Sequence, residues 1–570
     1  MRRAPAALAL LLLLGGCTGG RAPATARDPM TVTLSADSQA PAAAVPGAKP
    51  GGTVTLLLNI PFEHLDPART YISRAQLANL LIQRTLTTFR QQGPDGRLEL
   101  VGDLATDTGE SSEGGRVWTY RLREGLRFED GSPITSQDVA YAIARSFSPK
   151  LPDGPTWLQQ WLADTADFQS KYRGPYDGGA PGAPGVSTPD PRTIVLRFAR
   201  PRPDVPFAAA LGNTTPVPRA RDTREQYDLA PIATGPYKIE RYQRGRELVL
   251  VRNKYWVSST DPLRTAYPDR FVYVFGQSPT VATQRILAAK PADHDTISLE
   301  RVPSELLLSV ADNNDLAARA TIGTSPYVAY LRINTERVTD VAVRRALNCA
   351  FDREGYIKTL GGRGIATPAT TILPPIVAGY RRYNAYNCGP SGDPGRAREM
   401  LGGRRVALRY GYRTSDQGPA IAAFLKASLS QAGFDLTTVP IDPGNYYSTV
   451  RTRANGLDLY VNTWGPDWPT GQAVLPALMD GRTITDRGNS NTSYFSDDFV
   501  NSEIDRIESI GDLPQAAQAW GALDEEIMRD HAPLVPIYYD RTLTLNSAGV
   551  GGLHLHAILG GTSLENAFVR

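Results

Sequence analysis

The chain has 570 residues, 61 Lys and Arg against 58 Asp and Glu, 41% apolar residues and three cysteines. At about 150 residues per domain this is three or four domains or lobes, with ample chain for large cores. A charge of +3 excludes the concentrated basic face of a nucleic-acid protein, 52 scattered Gly and 45 scattered Pro exclude collagen and wholesale disorder, and three cysteines make neither a disulfide-dense mini-domain nor a Cys-rich zinc protein.

The first residues carry an address. Arg2 and Arg3 precede a run of Ala and Leu over 6–14, followed by Leu14-Gly15-Gly16-Cys17. The run is too short for the roughly 20 residues that span a bilayer, so 1–16 reads as a cleaved export signal. Its end resembles a bacterial lipobox, with Gly15 a less usual residue there; the resemblance implies lipid on Cys17 and cleavage before it. Loss of Arg2 and Arg3 leaves 59 basic against 58 acidic residues. Residues 17–51, rich in Ala, Pro, Gly, Thr and Ser without amphipathic period, are expected to be a flexible lipidated tether. Beyond them no stretch approaches 18 consecutive apolar residues, which implies an extracytoplasmic body anchored to the cell membrane by lipid.

Along the body, 53–60 (TVTLLLNI) predicts a buried strand, and Leu77, Leu80 and Leu81 a helix over 73–89. Trp118, Tyr120 and Leu122 alternate with polar residues as in a half-buried strand, Asp130-Gly131 makes a turn, and Thr135 with Asp138 caps a helix carrying Val139, Ala142, Ile143 and Phe147. The Gly- and Pro-dense stretch 172–191 reads as a surface loop. Strands are expected at 193–198, 247–251, 271–275, 434–439, 458–463 and 534–538, and helices at 341–351, 419–432 and 514–529. The irregular alternation predicts a mixed α/β protein of several lobes.

Catalytic motifs are absent: there is no phosphate-binding loop, no dinucleotide fingerprint, no H-E-x-x-H and no G-x-S-x-G. Of five histidines only His554 and His556 sit close together, and without a third ligand nearby they read as C-terminal surface residues. No metal and no cofactor is expected. The pattern suggests a binding protein rather than an enzyme.

Four stretches then give a resemblance. They are Leu104-Ala105 leading to Trp118-Thr-Tyr-Arg-Leu-Arg-Glu-Gly-Leu-Arg-Phe-Glu-Asp-Gly-Ser-Pro133 and Asp138-Val139; Thr234-Gly-Pro-Tyr-Lys-Ile239 with Asn253-Lys-Tyr-Trp256; Asp340-Val-Ala-Val-Arg-Arg-Ala-Leu-Asn-Cys-Ala-Phe-Asp-Arg353; and Trp464-Gly-Pro-Asp467-Trp468. Together with Ala532-Pro-Leu-Val-Pro-Ile-Tyr-Tyr539 they resemble the bacterial extracellular solute-binding family 5, the peptide- and nickel-type receptors of ABC importers. Read physically, Trp118 and Phe128 are core, Gly235-Pro236 starts a strand, and Arg344 and Arg345 are solvated or paired with nearby acids.

The resemblance implies an α/β, two-lobed, hinged periplasmic-binding-protein-like fold with an extra domain and mixed sheets flanked by helices. Domain I would comprise 52–84, 200–297 and 535–570, domain II 85–199 and domain III 298–534. It implies a solute held between two lobes by hinge closure and passed to importer permease subunits in the membrane; the solute is expected to be an oligopeptide. An oligosaccharide or metal-chelate receptor, a peptide-sensing receptor and an extracytoplasmic hydrolase are the alternatives.

In peptide-binding members the Asp of the fourth motif meets the peptide's N-terminal ammonium, which implies that role for Asp467; the alternative is a turn-shaping carboxylate beside Gly465-Pro466. Oligopeptide receptors also tend to carry an Arg six residues earlier, where this chain has Val461. Trp464, Trp468, Tyr446 and Tyr447 offer an aromatic wall for ligand, or ordinary core. Cys349 and Cys388, both outside the cytoplasm, are expected to form a disulfide rather than remain two buried thiols.

Overall fold

The computed structural model describes residues 32–570 except 36, 37, 93–96, 177, 312 and 416. The expected signal peptide and the expected lipid site Cys17 lie outside the described residues. The fold is α/β, with mixed sheets flanked by helices.

The first sheet assembles distant segments. Its order is Thr296–Ser298, Thr53–Leu57, Arg270–Val274, Glu247–Arg252 and Tyr237–Gln243. The first three strands are parallel and the others antiparallel. Thr53–Leu57 is interior to the sheet, and Val54, Leu56 and Leu57 are fully buried, as suits a continuous apolar strand in parallel pairing. The two halves of the second motif explain themselves here. Asn253 donates from its side chain to the Gly235 carbonyl (3.0 Å) and from its backbone to the Pro236 carbonyl (2.8 Å), tying the two halves of the motif together. Gly235 is required by close approach, since a Cβ there would stand 2.7 Å from the Leu81 carbonyl oxygen.

A four-stranded antiparallel sheet runs Glu110–Ser112, Val117–Arg121, Thr193–Arg197 and Val186–Asp190. The expected loop over 172–191 therefore ends in a strand; its β-forming Val186-Ser187-Thr188 is hidden among Gly and Pro. The first motif supplies this unit's core through Tyr120, Leu122 and Phe128. The helix Ser136–Arg145 is capped as expected, Asp138 accepting from the Thr135 backbone N–H (2.8 Å) and hydroxyl (2.7 Å).

The third large unit is a six-stranded mixed sheet, ordered Ala366–Pro368, Leu534–Leu545, Ala320–Ile333, Leu459–Trp464, Val406–Arg413 and Phe434–Ile441. Cys349 and Cys388 are joined in a disulfide, their Cα atoms 5.2 Å apart, and clamp the helix Val341–Ala350 to the segment before the helix Pro394–Met400.

Several expectations change. The helix at Ser73–Ile82 stops before 89, because Arg84 leaves it to enter a buried network and Thr87–Gln92 forms a strand. Residues 32–51 are not a free tether: Val32–Leu34 pairs parallel with Arg97–Gly102, Ser38 Oγ accepts from the Gly102 N–H (2.6 Å), and Ala42 donates to the Asp261 carbonyl (2.8 Å). Val32 and Leu34 also pack on the cores, but two apolar contacts and scattered polar bonds make no periodic pattern. The strand expected at 534–538 continues to Leu545 and pairs along Ala320–Ile333 throughout; the chain reaches the first sheet only at Asn546, which bridges Ile297. Arg344 is neither solvated nor acid-paired. It is buried and donates to the carbonyls of Val338 (2.8 Å), Thr339 (2.7 Å) and His531 (2.8 Å), while Arg345 donates to that of Asp530 (3.1 Å).

Candidate functional site: a cavity between lobes beneath Asp467

The strand Leu459–Trp464 runs off its sheet into Gly465-Pro466-Asp467. Gly465 lies against the Tyr327 ring, leaving no room for a Cβ. Asp467 Oδ2 accepts two hydrogen bonds, from the Tyr71 hydroxyl (2.6 Å) and from the Trp157 indole N–H (2.6 Å). Tyr71, Trp157 and Asp467 come from the three different units, and the Ser73 hydroxyl bonds that of Tyr327 across the same seam. The lobes are thus closed on one another here.

Asp467 lines a cavity of about 700 Å³, counting its open mouth. Leu80, Phe89, Leu211, Ile558 and Leu559 give it an apolar body, and amides and hydroxyls punctuate the wall. Burial holds the Asp467 carboxyl above the usual carboxylate range, against the lowering effect of the bonds from Tyr71 and Trp157. Both hydrogen-bond donors to Asp467 are neutral, and no cationic side chain among the described residues pairs with it. A carboxylate in that setting is incomplete until a cation arrives.

The aromatic residues separate into different roles. Trp468 is fully buried; its indole N–H donates to Asp204 (2.6 Å) and Thr470 Oγ1 (2.8 Å), and its ring packs on Trp157 and Trp161 at 5.0 and 5.9 Å. It belongs to a core between units, not to a ligand wall. Trp464 is half-buried, donates to the Ala473 carbonyl (3.0 Å) and packs on the third unit's core. Tyr446 is buried with its hydroxyl on the Val461 carbonyl (2.6 Å), while Tyr447 is exposed; Arg413 sits 4.9 Å from both ring centres. None of these four lines the cavity; Trp464, Trp468 and Tyr446 are engaged in packing, while Tyr447 stays exposed.

His556, expected at the surface, is buried and lines the cavity. Burial depresses its imidazole to about 4, so it is neutral at pH 7, with Nδ1 accepting the Leu559 N–H (3.1 Å). Tyr71, Trp157 and the residues around His556 carry no local sequence signal; the fold alone brings them to Asp467.

The profile of the Bacterial extracellular solute-binding proteins, family 5 Middle, matches residues 99–486. The chain belongs to this family. Within it, the chain is 22% identical over 461 residues to the Probable D,D-dipeptide-binding periplasmic protein DdpA of Escherichia coli (strain K12), covering 78% of this chain and 79% of that one. It is 23% identical over 479 residues to the Periplasmic oligopeptide-binding protein OppA of Salmonella typhimurium, covering 80% and 81%. Among solved structures, Clavulanic acid biosynthesis oligopeptide binding protein 2 superposes with a TM-score of 0.85 at 32% identity, covering 94% of this chain and 99% of that one. The family-5 relatives are solute-binding proteins. The two-lobed periplasmic-binding-protein fold is that of these neighbours.

Proposed function

We propose that this family-5 protein is the extracytoplasmic, lipid-anchored binding subunit of an ABC importer, and that it encloses an oligopeptide between its lobes without chemical turnover. Asp467 anchors the peptide's N-terminal ammonium. The observation that carries the reading is a partly buried carboxylate lining a cavity between lobes, held by two neutral donors and lacking a cation among the described residues. An ammonium supplies the missing charge and a charge-assisted hydrogen bond, and such an anchor is indifferent to side-chain identity. Relatives named for peptide binding support the solute class. Closure is productive because Tyr71 and Trp157 reach Asp467 only when the units meet, so a ligand there favours the closed form.

The test is calorimetric titration with a tripeptide and its Nα-acetylated counterpart. The free amine binds and the acetylated form, having no ammonium, binds at least tenfold more weakly. Equal affinities would remove Asp467 from the anchoring role.

A further inference from the structure

Two residues that line the same cavity as Asp467 carry hydrogen-bonding atoms without a partner among the described residues. Asn79, on the helix Ser73–Ile82, is buried, and its Nδ2 donates to the Leu65 carbonyl (3.1 Å) and to Thr70 Oγ1 (3.1 Å). A carbonyl can only accept, so this pairing fixes the amide's orientation and leaves Oδ1 as a bare acceptor. Oδ1 is buried with no partner among the described residues, and so is Oγ1 of Thr215, a residue only 1% exposed. Both residues line the cavity. A buried unpaired acceptor costs free energy unless something fills it.

The charged groups of the same wall point the same way. Arg264 lines the cavity, but its guanidinium is consumed by Asp103 (3.1 Å), Asp261 (3.2 Å) and the Gln83 carbonyl (3.1 Å). His556 is neutral at pH 7. Among the described lining residues no cation is left for an incoming carboxylate, while Asp467 repels one.

We infer that Asn79 and Thr215 form a second polar subsite of the cavity, which selects ligands carrying an N–H donor group, such as a carboxamide, and rejects carboxylates. The inference rests on the peptide reading of Asp467 for the identity of the whole ligand, and on the cavity alone for the donor preference. Thr215→Val keeps the shape and deletes the hydroxyl; Asn79→Leu deletes the acceptor amide.

The experiment measures Kd for tripeptides carrying Gln, Met or Glu, near-isosteric side chains, at each position in turn. Alongside run three simple amines of matched length: 5-aminopentanamide, hexylamine and 5-aminopentanoate. The expected order is amide first, methyl next and carboxylate last, with about tenfold between amide and methyl, and with the amide preference lost in Thr215→Val. Equal affinities for Gln and Met ligands, or an equal loss for both in Thr215→Val, would overturn the subsite while leaving peptide binding intact. Binding of the amines in the predicted order with no tripeptide bound would uphold the subsite and reject the peptide reading. If neither series shows the order, the cavity holds only water there and the inference fails. Should Asn79→Leu not fold, Thr215→Val decides.

Discussion

The seam between Trp468 and Asp204 gives a pH-dependent stability that can be worked out in advance. Asp204 is buried, its Oδ2 accepting from Trp468 Nε1 (2.6 Å) and Thr470 Oγ1 (2.5 Å). Nearby, Glu508 is paired with Arg202 (2.7 Å) and accepts from Gln472 (2.7 Å). Burial pushes the Asp204 carboxyl up to about 6, with the Glu508 charge adding to it and the two hydrogen bonds opposing it. The unfolded chain titrates near the ordinary Asp value of about 3.9. A carboxyl raised in the folded state binds its proton there first, so this group's contribution makes the protein more stable as pH falls from about 6 towards about 4, and is constant outside that window. A shift of roughly two units corresponds to about 3 kcal/mol at most. Asp204→Asn imitates the protonated form and retains an oxygen for both donors. Urea unfolding of the two proteins between pH 4 and 8 isolates Asp204 and its coupling to Glu508, because titrating residues that do not interact with Asp204 cancel in the difference. The variant is expected to be more stable than the parent above pH 6, with the advantage shrinking towards pH 4. A difference that is independent of pH would refute the assignment of a buried, strained carboxyl at this seam.

Other outcomes follow from the same packing. Reducing Cys349–Cys388, which closes a 39-residue separation, costs about 4 kcal/mol in the chain-entropy view, measured as a lower urea midpoint in dithiothreitol. Asp103→Asn weakens the fully buried Arg84–Asp103–Arg264 network, whose pairs stand at 2.7 and 3.1 Å, and should cost about 3–5 kcal/mol because it leaves cations short of compensating charge; a change below 1 kcal/mol would contradict that. Because burial raises Asp467, its charge is lost on acidification at a higher pH than an exposed aspartate's, so affinity for a free-amine peptide should begin to fall above the ordinary carboxylate range. Titrations across pH 4–7 check the sign, and affinity that rises on acidification would exclude ionised Asp467 as the anchor.

Local chemistry was readable where neighbours in sequence decide it. The capped helix Ser136–Arg145, the half-buried strand at Trp118 and the strands at Glu247–Arg252 and Phe434–Ile441 follow from periodicity and turn residues. The 14-residue strand Ala320–Ile333 has no clean alternation in its sequence. Pro326 interrupts its pattern and the ladder slips between Thr324 and Val328, so the alternation needed to see it is broken. Site residues divide in the same way. Asp467 stands in a motif, but its partners Tyr71 and Trp157 lie 396 and 310 residues away, brought in only by packing of the lobes. Trp468 looked like ligand surface because aromatic residues serve both roles; its buried N–H on Asp204 identifies it as core. Arg344 looked solvated because most arginines are, whereas three carbonyls receive it here.

The central claim is that Asp467 supplies the charge that holds a ligand between the lobes. Asp467→Asn keeps an oxygen for Tyr71 and Trp157 and removes only that charge. Calorimetric titration of a free-amine tripeptide should show at least a hundredfold loss of affinity, about 2.7 kcal/mol, with the urea midpoint unchanged or raised. Parental affinity in a normally folded variant would contradict the account.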